Sequence, residues 1–360
     1  MVAVKIALDW TPNTNHAGLY IAKEQGLFAK AGLEVTIISP HSDGYKVTPA
    51  SWVESGEALL AIAPSESVIS YNTWPEADRK RPKLKAVAAV LQKDTSAIVT
   101  LKSSGIDRPA KLEGKRYASY AARFEGRIVQ EMIRADGGSG DYQELALPML
   151  GVFNTLLKES PEPCPAMLCL LSAGEADATW VFLGWEGVEA ARAGVELNAF
   201  KLGDYGIPYG YSPVLLAHPD AISGQADALK AVLAAAAEGY RYAAAHPAEA
   251  AELFCQAVAA EHPEGLPQPL DTAMVQQSLE LIAKDLLAAD GRWGVMEAAR
   301  WDAFLDWLSD KGLLTTKVQS RIVKEGVTTT LDGLRSGDAG EPIPRSSVQS
   351  ATLFTNDCLP

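Results

Sequence analysis

Asp9, Trp10, Asn13 and His16 fall within eight residues, between an apolar run at Val4–Leu8 and a helical pattern from His16 to Phe28. An acid, an indole, an amide and an imidazole thus stand where a strand ends and a helix begins. In open α/β sheets that is where small ligands bind. The plain alternative is a turn whose Asn and Thr side chains only cap the helix. Later stretches repeat the arrangement. Tyr45 lies in the polar turn after the strand Gly32–Ser39, and Ser65 and Glu66 open a helix after the strand Leu59–Ala63. Ser119 and Tyr120 end a further strand, and Trp185 and Glu186 follow the one that ends at Phe182. Tyr209 and Tyr211 sit in an aromatic, Gly-rich loop at 203–213.

These types point to one chemistry. Aromatic faces stack on flat rings, and carboxylates accept hydrogen bonds from ring amino or N–H groups. With few Lys or Arg among them, the set suits a neutral or cationic heteroaromatic and suits a phosphate or sulfonate poorly. Taken singly, Trp10 also fits a core position and Tyr211 a packed hinge. For catalysis, His16 and Glu66 are the candidates, with Asp9 and Glu66 as the partners the topology offers the imidazole. Ser65 has no base placed beside it. Gly-x-Ser-x-Gly and phosphate-loop spacings are absent, so catalytic roles stay unassigned. The cysteines (Cys164, Cys169, Cys255, Cys358) and the five histidines are scattered without metal-ligand spacing, so no metal and no cofactor is expected and the thiols are read as reduced.

The elements that must hold these residues follow an α/β rhythm. Strands are expected near 32–39, 59–63, 84–91, 97–101, 115–120, 142–147, 178–182, 198–202 and 214–217, with helices between most of them. From Asp220 the chain turns helical, with helices near 228–245, 247–260, 271–287 and 295–311; the last carries Trp301, Phe304, Trp307 and Leu308 on one face, read as core. The basic stretch 79–85 reads as a solvated loop. Two β-α sets succeed one another, and the strand at 214–217 is positioned to return to the first. The expected architecture is therefore two α/β lobes around a ligand cleft: lobe I from 1–97 plus 214–332, lobe II from 98–213, and a Ser/Gly/Pro-rich tail at 333–360, extended or partly disordered.

The 360 residues carry a net charge of −13, which argues against nucleic acid and anionic membranes as partners. No run of 18 apolar residues predicts a transmembrane segment. The chain enters a strand at once after Met1, so the cytoplasm is the expected compartment, the alternative being periplasmic or extracytoplasmic after loss of a leader. A monomer or homodimer is expected.

Leu8-Asp9-Trp10-Thr11-Pro12-Asn13-Thr14-Asn15-His16-Ala17-Gly18-Leu19-Tyr20, followed by Ala22-Lys23-Glu24-Gln25-Gly26-Leu27-Phe28, resembles the opening signature of the NMT1/THI5-like (SsuA/THI5-like) family. The resemblance covers about residues 3–310. It implies a type II periplasmic-binding-protein fold and kinship with binding proteins for the formylaminopyrimidine precursor of thiamine and with the fungal enzyme that makes the thiamine pyrimidine. It also implies that Gly184-Trp185-Glu186 offers an acid to the pyrimidine amino group, and that Trp10 and Tyr209-Gly210-Tyr211 supply ring-stacking aromatics. The fungal synthase's pyridoxal-phosphate lysine and its histidine align with Ala63 and Ser67, and its cysteine cluster with 206–211, where no cysteine stands. The implied function is therefore binding of an aminopyrimidine such as a hydroxymethylpyrimidine or formylaminopyrimidine. The alternative is an enzyme on the same scaffold acting on a related heterocycle.

Overall fold

The computed structural model describes residues 1–43, 46–74, 81–119, 122–146, 176–266, 269–317 and 340–360. Its first sheet is built from β1 (Val2–Ala7), β2 (Leu33–Ile38), β3 (Leu60–Ala63) and β4 (Lys85–Ala89). The second contains β5 (Ser96–Leu101), β6 (Arg116–Ser119), β7 (Gln143–Ala146), β8 (Ala178–Phe182) and β9 (Leu197–Lys201). β10 (Val214–Ala217) returns to the first. The strand orders are β2-β1-β3-β10-β4 and β7-β6-β8-β5-β9.

Each sheet is parallel except where a strand delivered by a crossing enters it. β10 runs antiparallel between β3 and β4, and β5 runs antiparallel between β8 and β9. The chain thus passes between sheets twice, through 90–95 and 202–213. Two α/β lobes result, and the turn after β3 meets the turn after β6 where Glu66 accepts the Phe124 N–H.

The helices around the strands are α1 (Ala17–Glu24), α2 (Leu27–Lys30), α3 (Pro49–Glu54), α4 (Ser65–Asn72), α5 (Glu125–Ala135) and α6 (Glu186–Arg192). They are followed by α7 (Pro219–Gly224), α8 (Ala226–Ala245), α9 (Pro247–Glu261), α10 (Thr272–Leu286), α11 (Ala298–Asp310) and α12 (Ser350–Leu353). The single helix expected over His16–Phe28 is two pieces. Gly26, at φ +67°, takes the left-handed conformation that ends the first before α2 begins. None of the described helices is long and apolar enough to cross a membrane.

One apolar cluster joins β1 and β3 to α1, α8, α9 and α10 through residues such as Ile6, Leu19, Tyr240 and Phe254. A second lies on the other face of the first sheet and continues into the second lobe through Phe124, Ile128, Met132 and Trp180. At about 1.5–3 kcal/mol for each fully buried large aliphatic or aromatic side chain, these layers dominate stability. Of the helical stripe read as core, Trp301, Phe304 and Leu308 are buried here and Trp307 is half-buried against them. Residues 340–360 are docked. Phe354 bridges Ala86 on the outer edge of β4, Thr355 N–H donates to Ala86 O at 3.0 Å, and the Asn356 side chain exchanges two hydrogen bonds with the Met296 backbone. Arg345 pairs with Asp302 and Asp306 of α11.

Candidate functional site

Glu66 opens α4 at the carboxyl end of β3, where its first-turn position favours a carboxylate. It is buried, and both oxygens are engaged from outside its own helix. The Tyr209 hydroxyl donates to Oε1 at 2.6 Å, and the Phe124 N–H, at the start of α5 in the second lobe, donates to Oε2 at 3.3 Å. Burial raises this carboxyl above its ordinary pKa, opposed by those two donors and by Arg123. Burial also holds the Tyr209 phenol protonated, so it remains a donor. The Tyr209 ring packs edge-on against Trp180 (5.6 Å) and Phe304 (5.2 Å). Gly210 packs beside it, where a Cβ would lie 2.9 Å from the Ser65 hydroxyl. That hydroxyl is itself buried and has no hydrogen-bond partner.

Arg123 is buried at the mouth of α5. Its Nη1 donates to Thr73 Oγ1 at 2.6 Å, Nη2 donates to the Thr315 carbonyl, and Nε has no acceptor. Burial pulls its pKa down to about 10, with Glu66 opposing. Asp94, in the first crossing, accepts from the Ser96 N–H and hydroxyl. Burial pushes its carboxyl up to about 6, and negative Glu66 adds to the rise.

The opening turn is held by its own side chains. His16 Nδ1 accepts the Asn13 N–H at 3.2 Å, so the ring proton sits on Nε2 and is donated to Asp9 Oδ1 at 2.8 Å. Asn13 Oδ1 accepts the Asn15 N–H and its Nδ2 donates to Thr11 O. Thr14 then links the turn to the second lobe. Ser278 of α10 donates to Gly184 O, so its oxygen accepts from Thr14 Oγ1 at 2.6 Å. This places Trp185 and Glu186 beside the opening turn, with Trp185 packed on the first apolar cluster. Glu186 Oε2 accepts the Phe182 N–H at 2.9 Å. Burial lifts Glu186 to about 7; burial together with Glu186 lifts Glu189 to about 8.

The strand-end residues therefore form two groups joined by the first crossing. One comprises Ser65, Glu66 and Tyr209; the other is the opening turn, which carries Asp9 and Trp10, linked through Thr14 and Ser278 to the Gly184-Trp185-Glu186 turn. Leu183 N–H donates to Thr95 O, next to Asp94, and so ties the second group to the crossing that faces the first. Asn13 and His16 are buried and spend their polar atoms on the turn. Tyr211 is also buried: Arg300 lies over its ring at 3.9 Å and its hydroxyl accepts the Glu297 N–H. Ser119 ends β6, buried. Tyr45, Tyr120, Cys164, Cys169 and residues 79 and 80 lie outside the described residues. Arg123, Asp94, Trp180, Thr14 and Ser278 carry site contacts that the strand-end pattern does not pick out. Arg123 is the one with a signal, since it lies in the turn between β6 and α5.

Ala63 and Ser67 flank the β3–α4 turn with a methyl and a hydroxyl. A pyridoxal-phosphate Schiff base needs an amine, and the stretch 60–67 has none. A groove of about 450 Å³ opens at the opposite, amino-terminal edge of the first sheet, lined by Lys5, Thr36, Glu54, Glu57, His218 and Asp220 among others, and it holds none of the expected ligand residues.

Among solved structures, the alkanesulfonate-binding protein SsuA of Xanthomonas axonopodis pv. citri shares the fold, with a TM-score of 0.61 at 16% identity over 88% of this chain and 96% of that one. The formylaminopyrimidine-binding protein of Halalkalibacterium halodurans is 26% identical over 85% of this chain and 84% of its own length. The 4-amino-5-hydroxymethyl-2-methylpyrimidine phosphate synthase of Legionella pneumophila is 21% identical over 81% of this chain and 83% of its own. The family model "NMT1/THI5 like" matches residues 13–161 and 163–250. With well over half of its length matched, the chain belongs to the NMT1/THI5-like family.

Proposed function

We propose that the chain binds an aminopyrimidine precursor of thiamine between its lobes. One observation carries the reading: the similarity to the formylaminopyrimidine-binding protein spans 85% of the chain and 84% of that protein's own length. The chemistry agrees with it. Trp185 and Trp10 offer apolar faces for a planar ring. Glu186, held near neutrality, offers a carboxyl that pairs with a ring nitrogen and its exocyclic amino group at two points, as donor and acceptor together. Asp9, braced by His16, offers a second acceptor from the opening turn. His16 has both ring nitrogens engaged and Glu66 both oxygens, an arrangement suited to holding a site in shape.

Calorimetry with 4-amino-5-hydroxymethyl-2-methylpyrimidine and its formylaminomethyl analogue is the direct test. Saturable one-to-one binding is expected, and E186A is expected to weaken it by about tenfold to a hundredfold, because the ring nitrogen and its amino group both lose their partner. The absence of both heat and thermal stabilisation with either compound would overturn the reading. Turnover of either compound would move it to the enzyme alternative.

A further inference from the structure

The entrance to α5 is rich in donors. Helix amino termini carry free N–H groups and partial positive charge, and they attract anions. Here that attraction is already answered from within the chain. Glu125, in the helix's own first turn, accepts the Ala122 N–H at 3.1 Å, and Glu66 reaches across from the other lobe to accept the Phe124 N–H. Glu66 also takes the Tyr209 hydroxyl, and the guanidinium of Arg123 acts on it electrostatically. Two buried polar atoms in this neighbourhood stay unused, Arg123 Nε and Ser65 Oγ. The place is thus a donor cradle answered from the facing lobe by the Glu66 carboxyl, with the Thr73 hydroxyl and the Thr315 carbonyl taking the two Nη groups of Arg123.

We propose that Glu66 is the specificity-determining residue that makes the cleft accept an uncharged pyrimidine and refuse its phosphate ester, by occupying the donors an anionic group would need. This rests on the pyrimidine-binding reading. A phosphate ester carries about −1.5 to −2 charges near neutrality and needs several donors. Entering this cleft, it meets a carboxyl already seated on those donors. Specificity of this kind is built by repulsion and by competition for partners, as well as by attraction to the chosen ligand.

The test compares wild type, E66Q and E66A by calorimetry with hydroxymethyl-aminopyrimidine and with its phosphate ester. A separate arm follows the melting temperature of each protein as inorganic phosphate is added. Wild type is expected to prefer the alcohol by about a hundredfold or more, and E66A to cut that preference at least about tenfold. E66Q, which keeps the shape without the charge, is expected to move it partway, by about fivefold. Inorganic phosphate should stabilise E66A saturably and leave wild type unmoved, and E66A/R123M should lose that response. Equal affinity of wild type for alcohol and ester would overturn the proposal while leaving pyrimidine binding intact. So would folded E66Q or E66A proteins with unchanged preference and no phosphate response. If wild type binds neither pyrimidine, the function reading fails, and the inorganic phosphate arm still decides the role of Glu66.

Discussion

Glu186 and Glu189 share the first turn and a half of α6, and burial holds one carboxyl near 7 and the other near 8. Both lie above the ordinary value for glutamate, so the folded chain binds these protons more tightly than the unfolded one. Their effect on stability is absent at low pH, where both states are protonated. It grows as a penalty from about pH 4.5 up to about pH 8, because the unfolded chain ionises first. E189Q removes Glu189's share. It is expected to stabilise the protein by about 2 kcal/mol at pH 8.5, a few °C in melting temperature, and by far less at pH 5. Melts of both proteins at the two pH values check this, and equal shifts at both would count against it. At this scale much of the site is visible in the sequence, since Asp9, Trp10, Glu66 and Glu186 all follow apolar runs directly. What is hidden is the direction in which each group is spent. His16 reads as an acid–base candidate, yet its ring closes a turn on Asn13 and Asp9. Arg123 gains its meaning from Thr73, Thr315 and Glu66, all distant in the chain, which local pattern does not encode.

At the scale of elements, α1 and α8 cross with almost no space between backbones. A Cβ on Gly239 would sit 2.0 Å from Gly18 O, and one on Gly18 would sit 2.2 Å from Cγ of the Tyr240 ring. The same Tyr240 stacks on Trp293 at 4.6 Å and donates to Asn15 O at 2.7 Å, so the crossing also fixes the opening turn. The obstacle to a side chain at 239 is backbone, which cannot swing aside. G239A is therefore expected to destabilise by about 3 kcal/mol or more, and a denaturant midpoint within error of wild type would refute that. Strands and their following helices are legible because period and turn chemistry change together at each boundary. The break at Gly26 is less so, because apolar spacing continues through it into Leu27 and Phe28.

At the scale of the whole molecule, polar links beside the two crossings join the lobes, among them Glu66 to Phe124, Arg123 to Thr73 and Thr315, Lys311 of the α11 end to Glu131, and Thr14 through Ser278 to Gly184. Ser278 serves both neighbours at once and is buried, so S278A leaves Thr14 and Gly184 each short of a partner. Its expected effect is about 1–3 kcal/mol of closure energy. Stopped-flow binding should show this as several-fold faster ligand release with a nearly unchanged association rate. An unchanged release rate would remove the link from the closing mechanism. The two-lobed plan follows from the alternation of strands and helices and from the apolar strand at 214–217. Which contacts join the lobes does not follow, because they pair residues as far apart as Thr14 and Ser278.

The strands of the second sheet, β5 to β9, are contiguous along the chain. The first sheet is not: it waits for β10, and the outer edge of β4 waits for residues around Phe354. On a ribosome, where chains emerge amino end first and domains fold as units, this order inverts the usual sequence of events. The lobe that begins first is completed last. While residues 214–217 and 340–360 are still being synthesised, β3 and β4 lack the neighbours that later cover them. During that interval the nascent first lobe presents open strand edges, the part of the molecule most exposed to chaperones and to mispairing.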